Sequence, residues 1–227
     1  MQREIRTTED GSKTLFINEL DEGYHSQHGA LQEAKHVFID NGLKLINDCE
    51  INILELGFGT GLNLLVTIDE FLQNQKHDKN HIIHYYTIEK YPVSASEIES
   101  LAYSPLFTFP NAEAIFNKAH DSVWGTEVEL LPNFYLTKYE ADFFSIPQLI
   151  IPEINLVYFD CFGARVQPDL WEKPLFEIVS DLVKTNGLLT TYSSKGSVRR
   201  ILKELNFNVE KVPGPPGKRE MINAWKS

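Results

Sequence analysis

Cysteine is scarce in this chain. Cys49 and Cys161 are the only two, too few for a disulfide framework and at no metal-ligand spacing. Two reduced thiols and a cytoplasmic location are the expectation. Long apolar runs are missing as well: none approaches the roughly 18 residues that suggest a membrane span. The opening run MQREIRTTEDGSKTL is polar throughout and lacks the apolar stretch of a secretory signal. No internal repeat or low-complexity linker interrupts the 227 residues. Positive charge is in deficit, with 21 Lys+Arg against 32 Asp+Glu and a net charge of −11. That balance argues against a surface that grips nucleic acid indiscriminately.

The deficit is uneven. From Lys195 to Ser227 there are 8 Lys+Arg and 3 Asp+Glu, whereas the remainder carries 13 and 29. The C-terminal end is a basic stretch on an acidic body, either ordinary solvated charge or a docking surface for a polyanion. Length and composition fit one globular domain with an appendage. Residues 1–45 read as an N-terminal hairpin and helix extension, and residues 46–227 as the main domain.

Two strands flanking Asp10-Gly11 open the chain as a hairpin. Residues 23–30 read as loop, and residues 31–43 as one helix with Leu31, Ala34, Val37 and Phe38 on a face. Strands are then expected at 51–56, 82–89, 134–139, 154–160 and 188–193. Helical spacing falls between them at Leu62, Leu65, Ile68, Phe71 and Leu72, at 94–103, and at Leu175, Ile178, Val179, Leu182 and Val183. Asn186-Gly187 is expected to stop that last helix. Residues 104–132, with Pro105, Pro110 and Pro132, read as an irregular decoration. After a helix at 196–206, residues 207–212 and 220–225 pair as an antiparallel hairpin. The alternation predicts an α/β fold, Rossmann-like, with a mostly parallel seven-stranded sheet.

Ligands of such sheets bind outside the carboxyl ends of the strands. The first strand ends in ELGFGTG. Its glycines, Gly57, Gly59 and Gly61, are spaced G-x-G-x-G, and Leu62 stands where a dinucleotide fingerprint needs its third glycine. A carboxylate at Glu55 repels a pyrophosphate and suits an ammonium group. Glu89, ending the second strand, is placed to accept hydrogen bonds from ribose hydroxyls. Asp142 either receives an adenine amino group, with Phe143 or Phe144 against the ring, or caps the next turn. Asp160 ends a fully apolar strand and is therefore expected to face the cleft. Asp169 reads as a helix cap. His25, His28 and His36 with Glu33 have no cysteine among them, and no metal is expected. Trp171 and Trp225 read as packing residues.

Together ELGFGTG, Glu89, ADF and Asp160-Cys161-Phe162 resemble the class I S-adenosylmethionine (SAM)-dependent methyltransferases. The stretches GALQEAKHVFIDNGL, LELGFGTGLNLL, DCFGARVQPDLW and TYSSKGSVRRILKELNFNVEKVPGPPGKREM are similar to the methyltransferase half of the MnmC family, over roughly residues 20–227. PDLW and KREM are the more specific of these motifs. The resemblance implies methyl transfer from SAM to the aminomethyl group of a tRNA wobble uridine, giving 5-methylaminomethyluridine. It implies a cofactor set of Glu55, Gly57, Phe58, Gly59, Thr60, Gly61, Asn63, Glu89, Lys90, Asp142, Phe143 and Asp160. Asp160 is assigned the catalytic role. Phe162, Lys195, Arg199, Lys218 and Arg219, joined by Arg200, are expected on the tRNA side. Tyr24, Gln32 and Glu33 are expected to close over SAM, and Tyr192, Ser193 and Ser194 to line the acceptor side. The chain departs from the family pattern at Cys161, where glycine is usual, at the prolines of GPPGKREM, and in having no FAD-dependent oxidase half after it. A separate oxidase is then the expected supplier of substrate. The alternatives are a same-fold methyltransferase of another amine or a protein, a non-catalytic SAM-binding module, and an NAD-dependent oxidoreductase. Leu62 and the terminal hairpin oppose the last.

Overall fold

The computed structural model describes residues 2–75 and 81–227. Strands β1 (Arg3–Thr7), β2 (Lys13–Ile17) and β3 (Glu22–Gly23) form a small antiparallel sheet. After them come α1 (Ala30–Ala34), β4 (Glu50–Leu56), α2 (Leu62–Asn74), β5 (Ile82–Glu89), α3 (Ala95–Leu101), α4 (Ala112–Asp121), β6 (Val128–Leu131) and β7 (Phe134–Glu140). The chain continues through β8 (Ile154–Phe159), α5 (Lys173–Leu182), β9 (Val183–Thr191), α6 (Gly196–Glu204), β10 (Phe207–Pro213) and β11 (Glu220–Lys226).

Strands β4 to β11 make one mixed sheet in the order β10-β11-β9-β8-β4-β5-β7-β6. The five strands from β9 to β7 are parallel, and the antiparallel partners lie at both edges. Successive residues of each central strand point to opposite faces, so two apolar layers are filled from one strand. Ile53, Tyr85 and Tyr158 pack with α2 and α4, while Leu54, Val157 and Phe159 pack with α5 and α6. Every residue of β8 is buried, as a parallel strand covered on both faces requires.

Four local expectations are corrected. The sheet has eight strands rather than seven, because residues 104–132 are structured. Ala112, Ile115, Phe116 and Ala119 bury one face of α4, and β6 then adds to the sheet edge. Pro110 precedes α4, Pro132 follows β6 and Pro105 lies in the short turn Ser104–Leu106, where a missing N–H does no harm. Residues 31–43 are not one regular helix: beyond α1 the turns widen over Lys35–Asp40, and the Asn41 N–H reaches back to the His36 carbonyl at 3.2 Å. The Val37 carbonyl instead accepts the Thr190 hydroxyl of β9 at 3.1 Å. Asn186-Gly187 does not stop α5, which ends at Leu182. It forms an irregularity inside β9, with Asn186 at φ +62°, as the register against β8 shifts. Asp169 caps nothing; it lies within the short turn Pro168–Trp171, and α5 starts with no side-chain cap.

Leu156 lies at the middle of β8 with no exposed surface. Leu156→Ala should lower the unfolding free energy by about 2–5 kcal/mol, measured by urea denaturation.

Candidate functional site

The chain leaves β4 for β5 and β7 on one side and returns as β8 and β9 on the other. This reversal opens a crevice at the carboxyl ends of β4 and β8. A cavity of about 570 Å³ lies there. One side is lined by Gly57, Phe58, Gly59, Thr60 and Asn63, followed by Glu89, Lys90, Asp142 and Phe143. Asp160, Cys161, Phe162, Tyr192, Glu33 and Lys218 line the other.

The glycine loop is shaped by close approach. Gly57 has φ +98°, and a Cβ there would stand 3.0 Å from the Asp160 carbonyl oxygen. Gly59 has φ +50°, and its Cβ would press on the Tyr24 ring at 3.1 Å. The loop N–H groups are largely spent within the protein. Gly57 and Phe58 donate to the Ile88 carbonyl at 3.0 and 3.3 Å, and Gly61 donates to the Phe58 carbonyl at 2.9 Å. The Gly59 N–H donates to Glu89 Oε2 at 3.0 Å. A pyrophosphate cradle needs such donors free and aimed at the ligand; this loop directs them inward.

The cavity floor is acidic. Asn63, in the first turn of α2, donates through Nδ2 to Glu55 Oε1 at 3.0 Å and to Asp160 Oδ2 at 2.8 Å. The Thr87 hydroxyl holds the second Glu55 oxygen at 2.8 Å. Glu55 is fully buried behind Asn63 and does not line the cavity, so it acts on a ligand through Asn63 and not by contact. Burial pushes its pKa up to about 8, against the hydrogen bond from Thr87 and with the Asp160 charge adding to the rise. Burial likewise pushes Asp160 up to about 7, with the Asn63 hydrogen bond opposing. Glu89 accepts a second backbone N–H, from Tyr91, at 2.8 Å. Asp142 caps the next turn, accepting the Phe144 N–H at 2.9 Å, and it also lines the cavity, where it pairs with Lys90 at 2.8 Å. The Lys90 hydrogen bond holds Asp142 below the usual carboxylate range.

Of the residues expected on the tRNA side, Phe162 and Lys218 line the cavity, whereas Lys195, Arg199, Arg200 and Arg219 lie outside its lining. Lys218 is engaged by Glu33 at 2.6 Å. Gly61 sits behind the loop against His120 and Phe58. Tyr24 stands edge-on to Phe162, with ring centroids 4.9 Å apart. Gln32, Ser193, Ser194 and Phe144 do not line the cavity. His25 does, with its pKa pushed down to about 4 by burial, whereas His28 bonds Glu9 and His36 bonds the Pro213 carbonyl. Among the described residues no three His, Cys, Asp or Glu side chains gather as metal ligands. Trp171 is buried against Phe159, and Trp225 packs on the core. Phe16, Leu20, Glu22, Gln167 and Leu170 also line the cavity. Sequence reasoning missed them, because no periodicity or motif says that the N-terminal segment folds over the glycine loop or that the turn at Gln167 and Leu170 faces the cavity.

The residues present fit SAM. Asn63 Oδ1, a buried acceptor with no partner, would take the amino group of its methionine end. Glu89 and Asp142 line the cavity with carboxylates and Phe143 with a ring, and these would hold the ribose diol and the adenine. The raised pKa values also set a pH dependence. A carboxylate whose pKa is higher folded than unfolded favours folding when protonated, so stability falls as pH rises. For Glu55 the window runs from its ordinary 4.5 to about 8. Glu55→Gln should flatten the fall in thermal midpoint across that window, read by calorimetry in a pH series.

A family model described as S-adenosyl-L-methionine-dependent methyltransferase matches residues 139–227. A relative from Marinobacter nauticus, named tRNA 5-methylaminomethyl-2-thiouridine biosynthesis bifunctional protein MnmC, is 30% identical over 208 residues, covering 88% of this chain and 33% of that protein. A protein of the same name from Leptospira borgpetersenii is 28% identical over 225 residues, covering 92% of this chain and 33% of that protein. The chain thus spans about a third of the length of these curated relatives. A crystal structure of MNMC2 from Aquifex aeolicus superposes with a TM-score of 0.78 at 25% identity, covering 98% of this chain and 70% of that one. No helix among the described residues is long and apolar enough to cross a membrane. Fold, site and likeness together give the chain a class I SAM-dependent methyltransferase fold with SAM as its cofactor, and the chain resembles about a third of the length of the MnmC proteins.

Proposed function

We propose that this protein transfers a methyl group from SAM to the aminomethyl group of 5-aminomethyl-(2-thio)uridine at the wobble position of tRNA, forming 5-methylaminomethyluridine. The observation that carries the reading is Asp160, a carboxylate of raised pKa that shares one cavity with the glycine loop and is fixed by Asn63. When bound, SAM supplies an electrophilic methyl on a sulfonium that departs as a neutral thioether. The chain's own part is mostly positioning, which can contribute on the order of 7–11 kcal/mol toward the barrier. The acceptor amine attacks with its lone pair, and Asp160, pushed up to about 7, is poised to orient it and accept its proton. The names of the relatives support a tRNA acceptor.

The remaining parts of the reading follow from charge. Lys195, Arg200 and Arg219 are exposed and Arg199 is partly so, and all four lie outside the cavity, where tRNA phosphates can reach them while the base enters. A separate FAD-dependent oxidase would supply the aminomethyl substrate. The direct test is incubation with SAM and tRNA carrying aminomethyluridine, followed by nucleoside mass spectrometry; a methyl added to that nucleoside is expected, and its absence would overturn the assignment. Asp160→Ala should slow methylation by about 100-fold or more while changing the dissociation constant of SAM far less. Replacing Lys195, Arg199 and Arg200 with alanine should weaken anticodon stem-loop binding, with the slope of log affinity against log salt falling by about one unit per lost contact.

A further inference from the structure

Lys218 lies in the turn between β10 and β11, outside the parallel core, yet its ammonium reaches the cavity. The turn is held by bonds from the Gly214 N–H to the Arg219 carbonyl at 3.2 Å and from the Lys218 N–H to the Pro215 carbonyl at 2.9 Å. It packs on the N-terminal segment closely enough that a Cβ on Gly217 would collide with His28. Lys218 Nζ is 2.6 Å from Glu33 Oε1 and 3.8 Å from the centroid of the Tyr192 ring. Glu33 is buried at 8% exposure, and its other oxygen accepts the Ser26 N–H at 2.8 Å. Tyr192 is fixed by its hydroxyl, which donates to the Cys161 carbonyl at 2.8 Å. Asp160 is near enough to feel the charges of both Glu33 and Lys218.

A rigid carboxylate beside an aromatic face, with a second carboxylate close by, is the chemistry that holds a primary ammonium. Here the chain's own lysine fills that position. A phosphate-binding role for Lys218 would require it to leave a partly buried partner, and Glu33 would then stand unpaired in the cavity wall. An incoming aminomethyl group can take the same place, leaving Glu33 paired and Lys218, the more exposed partner, to be hydrated by solvent. We propose that Glu33 and Tyr192 form the ammonium-recognising subsite for the acceptor, and that Lys218 occupies it until the acceptor amine displaces it. This deepens the amine-methyltransferase reading and rests on it for the identity of the ligand. The subsite sits in the same cavity as Asp160, which takes one proton from the delivered ammonium so that its nitrogen has a lone pair for attack, and the methylated product leaves as the cation.

The two partners of this ion pair then have opposite effects on acceptor binding, which a structural bridge would not produce. The probe is the nucleoside 5-aminomethyluridine, titrated by calorimetry, with uridine as the amine-free control. Lys218→Met should bind the amine probe more tightly, by about tenfold if the lysine fills the subsite about 90% of the time. Glu33→Gln should bind it more weakly. Lys218→Gln serves as a second variant should the first lose its thermal transition, and the same tightening is expected. Weakening in the lysine variants parallel to that in Glu33→Gln would overturn the proposal, as would equal binding of the amine probe and uridine by Lys218→Met. The tRNA methylation assay fails independently: a tightened probe without methylation would refute the tRNA reading and leave the ammonium subsite standing.

Discussion

One side-chain amide organises this molecule's cleft. Asn63 bridges Glu55 and Asp160, two carboxylates on neighbouring parallel strands. Two acids this close, one fully buried, cannot both carry charge cheaply. The amide gives each a hydrogen bond, and Thr87 gives Glu55 another. What remains is an acidic site whose two carboxyls hold their protons to higher pH than usual, and a cationic ligand would draw their charge out. Such a site suits an ammonium or a sulfonium better than a phosphate. The glycine loop agrees with it, since its amide hydrogens serve Ile88, Phe58 and Glu89 rather than a ligand.

The fold supplies the setting. Only the reversal of strand order between β4 and β8 leaves room above two adjacent strand ends. The small N-terminal sheet then closes one wall. It is tied to the main body on both sides of the cavity, by Arg3 to Glu97 at 3.2 Å and to the Tyr91 carbonyl at 2.7 Å, and by Glu22 to Arg165 at 2.7 Å. The Glu33–Lys218 pair is a third tie, linking α1 to the last hairpin within the cavity wall. Residues from both ends of the chain therefore meet over a site built by its middle.

How much of this was legible in the sequence depends on how far apart the cooperating residues lie. Strand ends could be read, because apolar runs stop abruptly at Glu55, Glu89 and Asp160, and a charged residue after such a run must face something polar. The cofactor class followed from glycine spacing and Leu62 only with the support of Glu55 and the acids at the later strand ends. Glu55 was legible as important but not as hidden: nothing in ELGFGTG says that Asn63 would cover it. The region 104–132 looks irregular because its prolines read as breaks, whereas Pro110 precedes α4, Pro132 follows β6 and Pro105 lies in a short turn. Asn186-Gly187 looked like a helix stop because a turn dipeptide and a strand irregularity share the same left-handed backbone. Lys218 was read by charge alone, as one of a basic group, and its partner stands 185 residues away. Long-range pairs of this kind leave no local pattern to read.

The central claim is that the Asn63 bridge makes this cleft a SAM site. Titration calorimetry of SAM into the intact protein and into Asn63→Ala tests it most directly, with thermal unfolding recorded on both to establish that the variant is folded. The account predicts binding by the parent protein and a loss of at least about tenfold in the variant, the equivalent of one charge-assisted hydrogen bond. A folded Asn63→Ala protein that binds SAM as tightly as its parent would contradict it.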